Sequence, residues 1–188
     1  MAIQINGDGT ITGINVGGLP NGIVNTDMLA ANAVSSAKLA SGAITAGAMP
    51  SGSIIQYKYA VLTGGEHNSS NTSDEDIPGM SVDIAKTNAS NLIVCEVTFT
   101  PYFGGSTSLR FELKIKRDST TIYNKPYGLF RDGTNWKSSQ SICRKVDTGA
   151  NDTNSHTYKF VTKRLTGSDT LWFDDDGVHT ITVMEVVA

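Results

Sequence analysis

Residues Ser108-Leu109-Arg110-Phe111-Glu112-Leu113-Lys114-Ile115-Lys116-Arg117 alternate strictly, with Leu109, Phe111, Leu113 and Ile115 on one side and charged residues on the other. Successive side chains of an extended strand point to opposite faces, so this run has one dry face and one wet face. A chain that carries such a strand must supply partners for its two edges and a second layer for its dry face. Weaker runs of the same kind lie at Ile54 to Leu62, Leu92 to Tyr102, Thr120 to Tyr127, Ser139 to Arg144, Thr157 to Leu165, Thr170 to Phe173 and Thr180 to Val187. Turn-rich stretches separate them: Gly64 to Asp76, Gly104 to Thr107, Asp132 to Asn135 and Thr148 to Asn154. About eight strands with one wet face predict an all-β fold, an antiparallel β-sandwich of jelly-roll type over residues 53–188. A hydrophobic share of 39%, an aromatic share of 7% and 19 glycines agree with many short strands and turns rather than packed helices.

Residues 1–52 follow a different grammar. They hold no aromatic side chain and one lysine, Lys38, and consist mainly of Gly, Ala, Ser, Asn, Ile and Val. So little apolar volume cannot offset the entropy lost on ordering the chain, so the segment cannot fold alone. It nevertheless contains a ten-residue repeat. Gly22 to Ala31 aligned with Asn32 to Ser41 superposes Val24 on Val34, Leu29 on Leu39 and Ala30 on Ala40, and a third copy places Ile44 and Met49 at the same two positions. Each unit of such an array buries its face against a neighbour. With so few copies, the neighbour is expected to be another chain. Residues 1–52 therefore read as an extended arm, its stalk formed by Val24, Leu29, Val34, Leu39, Ile44 and Met49 of three intertwined copies. A flexible Gly/Ser/Ala linker is the competing reading.

Lys plus Arg is 15 against 18 for Asp plus Glu, a net charge of −3, which gives no basic surface for nucleic acid. The first residues show neither a basic n-region nor an apolar run long enough for a signal peptide or membrane span, so a protein made in the cytoplasm without membrane insertion is expected. Cys95 and Cys143 lack metal-ligand spacing and are expected as buried free thiols, with a disulfide as the alternative. Asp174, Asp175 and Asp176 form the densest acidic cluster and the one candidate for a metal. Adjacent residues of a short loop point apart, however, and a solvated turn is favoured over Ca²⁺. His67, His156 and His179 have no accompanying nucleophile elbow, no facing carboxylate pair is visible and no glycine-rich phosphate loop occurs. No enzyme activity and no cofactor are expected.

Two further sets of residues bear on binding. The run from His179 to Ala188 is apolar to its end, so Ile181, Val183 and Val186 are expected to tie this strand into a sheet or a subunit interface. Tyr127 and Trp136 are the candidates for contact with a host-surface glycan, against a reading in which such aromatics cap the core.

The stretch Asp76-Ile77-Pro78-Gly79-Met80-Ser81-Val82-Asp83-Ile84, with Ser90-Asn91-Leu92-Ile93-Val94 and Ile115-Lys116-Arg117-Asp118-Ser119-Thr120-Thr121-Ile122, resembles domains of phage tail fibres and related virion surface proteins. The closing Ile181-Thr182-Val183-Met184-Glu185 and the leading Ile11 to Pro20 are similar to the same family. Asp118-Ser119 stands where the family has Asp-Gly, so a longer or bulged turn is expected there. The resemblance implies a homotrimeric β-sandwich on a phage particle. Within that family two roles fit: a capsid decoration or cement protein whose arm grips the major capsid protein, and a short tail fibre or receptor-binding protein attached to tail proteins. Short length and the absence of a catalytic motif favour the first.

Overall fold

The computed structural model describes residues 4–5, 11–12, 34–35, 39–40, 43–62, 65–104, 109–129, 140–167, 170–173 and 178–188. The chain divides into two units, Met1–Thr45 and Ala46–Ala188. In the first unit, β1 (Gln4–Ile5) pairs antiparallel with β2 (Ile11–Thr12). The second unit opens with a turn of 3-10 helix at Ala46–Ala48, and among the described residues its other regular elements are all strands.

Eight of those strands form two four-stranded antiparallel sheets. The first is ordered β10 (Ser141–Asp147), β6 (Leu92–Phe99), β13 (Thr180–Val186), β3 (Ile54–Val61). The second is ordered β5 (Glu75–Ala85), β11 (Ser155–Thr166), β8 (Leu109–Arg117), β9 (Thr120–Leu129). Along the chain these strands pass from sheet to sheet except at the β8–β9 hairpin, and the resulting strand order is that of a jelly roll. Three short strands, β4 (His67–Ser69), β12 (Thr170–Phe173) and β7 (Tyr102–Gly104), form a third sheet in that order. Each lies in a connection between the two large sheets at one end of the sandwich, the end reached by Val61, Phe99 and Thr180.

The alternation seen in the sequence is what fills the space between the sheets. Phe111, Leu113 and Ile115 of β8 point inward together with Tyr158 and Phe160 of β11, Ile93, Cys95, Val97 and Phe99 of β6, and Ile181 and Val183 of β13, all essentially inaccessible. Phe160 sits at the middle, its ring centroid 5.3 Å from that of Phe99 and 6.2 Å edge-on from that of Phe173. Both open sides of the sandwich are closed by polar side chains. On one side Gln56 Nε2 donates to the Ala85 carbonyl and Lys58 Nζ to the Asp83 carbonyl, each at 2.8 Å, joining β3 to β5. On the other, the Tyr127 and Ser141 hydroxyls lie 2.8 Å apart and join β9 to β10.

Two irregularities carry the family-like motifs. In β5, Ser81 pairs with Lys159 and Asp76 with Val161, so four residues of β5 stand opposite Phe160 alone. Pro78 has no N–H to offer a ladder, and Gly79 takes φ +72°, a conformation cheap only for glycine. The resulting bulge lets Ile77 and Met80 both face the core. The β8–β9 turn is a tight two-residue turn, Asp118-Ser119, rather than a longer one, with Asp118 at φ +52°. Aspartate tolerates that region better than most residues, and here its carboxylate accepts from the Thr157 N–H at 2.9 Å and contacts His156 Nδ1 at 2.7 Å. The expected bulge exists, displaced to Ile122, where the register shifts.

Candidate interaction surface

The two sheets differ in what they turn outward. The outer side of the second sheet is wet. Lys114 meets Asp74 at 2.6 Å and Glu112 at 3.1 Å, Lys116 meets Asp74 at 2.5 Å and Lys159 meets Asp76 at 2.6 Å. Charges of both signs interleave there, the pattern of a surface made for water.

The outer side of the first sheet carries more apolar residues, the most exposed of them on the edge strands β3 and β10. Register alone defines its rows, because residues facing one another across strands share a face. Ile181, Val183 and Glu185 of β13 point inward, so Thr182, Met184 and Val186 point outward, and the rows read Ile142–Thr98–Thr180–Val61, Arg144–Glu96–Thr182–Tyr59 and Val146–Val94–Met184–Tyr57, ending at Leu92–Val186–Ile54. Tyr57, Tyr59 and Ile142 are 62%, 66% and 63% exposed, and Ile54, Val61 and Val146 are also exposed. One ion pair crosses the face, Arg144 Nε donating to Glu96 Oε2 at 2.7 Å.

Three polar clusters inside the second unit tie its connections together. Glu185, buried on the inward face of β13, accepts from the Thr87 N–H at 2.8 Å, the Thr87 hydroxyl at 2.9 Å and Asn91 Nδ2 at 2.7 Å, and from Gln56. Burial alone would raise its pKa, but these donors hold it below the usual glutamate value. Lys86 Nζ donates to the carbonyls of Ala89 at 2.6 Å, Asn91 at 2.7 Å and Ala150. Asp147 accepts from Arg117 at 2.7 Å, the Tyr158 hydroxyl at 2.8 Å and the Gly149 N–H at 2.9 Å, which together outweigh burial and lower its pKa. Each group is fully engaged with the chain itself, as bracing requires. Among the described residues, no three His, Cys, Asp or Glu side chains converge on a site for a metal ion, and no helix is long and apolar enough to cross a membrane.

The residues singled out from sequence are placed unevenly. Val34, Leu39, Ile44 and Met49 are exposed, while Val24 and Leu29 lie outside the described residues, as do Trp136 and Asp174, Asp175 and Asp176. Ile181 and Val183 belong to the chain's own core, because β13 is a central strand between β6 and β3. An assignment of those two side chains to a subunit interface is therefore corrected, whereas Val186 does lie on the outer face. Tyr127 is likewise no receptor platform. Its ring packs against Phe111 and Phe99 at centroid distances of 5.4 and 6.1 Å, and its hydroxyl closes the sandwich edge. Cys95 and Cys143 are free and buried, on neighbouring strands but two residues out of register. The exposed apolar residues of β3 and β10 escaped sequence reasoning, although their signal was present in the aromatic and aliphatic residues alternating along β3.

Neither a protein-family model nor a curated protein matches the chain. Solved structures similar to it include T=1 particles derived from infectious bursal virus, at 11% identity over 70% of this chain and 31% of that one, with a TM-score of 0.46. The VP2 subviral particle of infectious bursal disease virus is similar at 12% identity over 70% and 33%, with a TM-score of 0.44. The Eiger TNF of S. frugiperda is similar at 9% identity over 70% and 93%, with a TM-score of 0.37. This chain thus spans about a third of the length of the viral chains it resembles. At such identities the likeness concerns fold alone.

Proposed function

We propose that the chain is a structural protein of a bacteriophage particle, a homotrimer displayed on the virion surface as a capsid decoration or cement protein. In this reading the arm of residues 1–52 attaches to the major capsid protein, the jelly roll projects as a knob, and neither catalysis nor a cofactor is involved. The observation that supports it is where the family-like motifs fall. They occupy the Pro78-Gly79 bulge, the entry to β6, the Asp118-Ser119 hairpin and the central strand β13, positions that define this jelly roll rather than decorate it. Exposed Val34, Leu39 and Ile44 before the knob add apolar groups in need of partners. The second reading, a short tail fibre or receptor-binding protein that touches a host-surface glycan, is favoured by the fibre-like leading segment Ile11 to Pro20.

Copy number separates the two. Quantitative mass spectrometry of purified particles, scaled to the major capsid protein, is expected to give hundreds of copies per virion. A few dozen would transfer the chain to the tail, and its absence from particles would remove both readings.

A further inference from the structure

We propose that His156 is a proton-operated clamp: in its charged form it ties the β10–β11 connection to the β8–β9 hairpin, and on losing its proton it lets go of the connection at Asp152. The observation that carries this is that both ring nitrogens face carboxylates. Nδ1 lies 2.7 Å from Asp118 Oδ2, and Nε2 lies 3.1 Å from Asp152 Oδ1. An ionised carboxylate can only accept, and a neutral imidazole has one N–H, so a neutral ring serves one of the two and only the imidazolium donates to both. The ring is largely withdrawn from water, its side chain being 18% exposed, which limits how far solvent can replace a lost bond.

The two carboxylates are unequal partners. Asp118 stands on the β8–β9 turn, makes the shorter contact, and is fixed by a second bond from the Thr157 N–H at 2.9 Å. Asp152 lies in the β10–β11 connection, and its other bond, from the Asn154 N–H at 2.8 Å, stays within that connection. Among the described residues, His156 is thus the partner that ties Asp152 to a sheet. A neutral ring keeps its N–H on Asp118 and turns a bare Nε2 toward Asp152, lone pair against lone pair. Release is confined to residues 151–154, because the Gly149 N–H is held by Asp147 and the Ala150 carbonyl by Lys86. This connection lies at the end of the sandwich where the chain enters: Asp147 pairs with Ile93, Ile93 with Glu185, and the next residue, Val186, with Ile54.

The surrounding charges favour the closed state near neutrality. Besides Asp118 and Asp152, the groups around the ring are Asp83 of β5, which accepts from the Thr157 hydroxyl at 2.5 Å, and Arg117 at the end of β8, which is engaged with Asp147 at 2.7 Å. The bond to Asp118 holds the imidazole's pKa above the ordinary histidine value against the opposing effect of burial. Bonds from the Thr157 and Asn154 N–H groups hold Asp118 and Asp152 below the usual aspartate value, so both stay ionised while the ring titrates.

NMR titration of the full chain from about pH 5 to about pH 9, a span that brackets an ordinary histidine, tests the clamp. The His156 ring signals are expected to titrate with a midpoint above 6.5. The Asn154 amide should shift with the same midpoint while the Gly149 amide does not, and the heteronuclear NOE of residues 151–154 should drop above it. Asp152→Asn, at an exposed position, should lower the ring's midpoint, and His156→Gln should abolish the Asn154 response. A ring midpoint at or below 6.5, an NOE that stays constant through the titration, an Asp152→Asn midpoint equal to wild type, or an Asn154 response that persists in His156→Gln would each overturn the clamp. None of these readouts depends on the virion assignment, and a chain absent from particles would discard the proposed function and keep the clamp.

Discussion

Cys95 shows how far a local environment can reset a side chain. Burial in the core, reinforced by the charges of Asp147 and Glu96, pushes its pKa up to about 12. The thiol is therefore expected to resist alkylation at neutral pH until the protein unfolds, and modification by iodoacetamide at the native rate of a free cysteine would contradict its placement. Its buried, unbonded state was legible in the sequence, because both cysteines sit in apolar alternation without ligand spacing. His156 was not. The sequence marked it only as a histidine without an accompanying nucleophile elbow, yet its Nδ1 lies 2.7 Å from Asp118 and its Nε2 3.1 Å from Asp152, and the bond to Asp118 raises its pKa most. Because the folded-state pKa lies above the free value of 6.5, the stabilisation is complete below that pH and is lost as pH rises through the folded value. The urea midpoint of wild type should thus fall relative to that of His156→Gln on going from about pH 6 to about pH 9. Identical pH profiles would refute the clamp. At Gly79, φ +72° makes Gly79→Ala destabilising by about 1–2 kcal/mol, measurable by the same unfolding experiment.

Among the elements, β8 was readable because Phe111, Leu113 and Ile115 face the core, whereas the run along β3 left the assignment of its two faces open. Its pattern sets Ile55, Tyr57, Tyr59 and Val61 on one face and Lys58 on the other. The register with β13 turns Tyr57, Tyr59 and Val61 outward, and Gln56 and Lys58 reach the backbone of β5. Period-two alternation gives two faces without saying which is inside, and at an edge strand the inward side overlooks the neighbouring sheet's margin rather than the core. β5 went unread as a strand by pattern because the Pro78-Gly79 bulge interrupts its period, although the family-like motif marked it. β4 and β7 are too short to carry a period at all. Removing Val183 to Ala188 deletes half of a central strand, so the expected product is unfolded, insoluble protein, not a dissociated monomer; a folded monomer by circular dichroism would show that β6 and β3 close up without it. Phe160→Ala, which removes the ring contacts with Phe99 and Phe173, should cost about 3–5 kcal/mol in urea unfolding.

For the whole molecule, the jelly roll followed from counting strands and turns, while the outer face of the first sheet required pairing register, which no single strand contains. One further feature has engineering value. The Gly52 N–H donates to the Val187 carbonyl at 2.8 Å and the Val187 N–H to the Ser53 carbonyl at 2.9 Å, so the place where the chain enters the sandwich and the place where it leaves are stitched together. Both lie at the opposite end from the small sheet of β4, β12 and β7. A tag or passenger domain grafted onto Ala188 would consequently emerge beside Gly52, where the chain enters the sandwich, whereas cargo meant to stand clear of that entry belongs at the far pole.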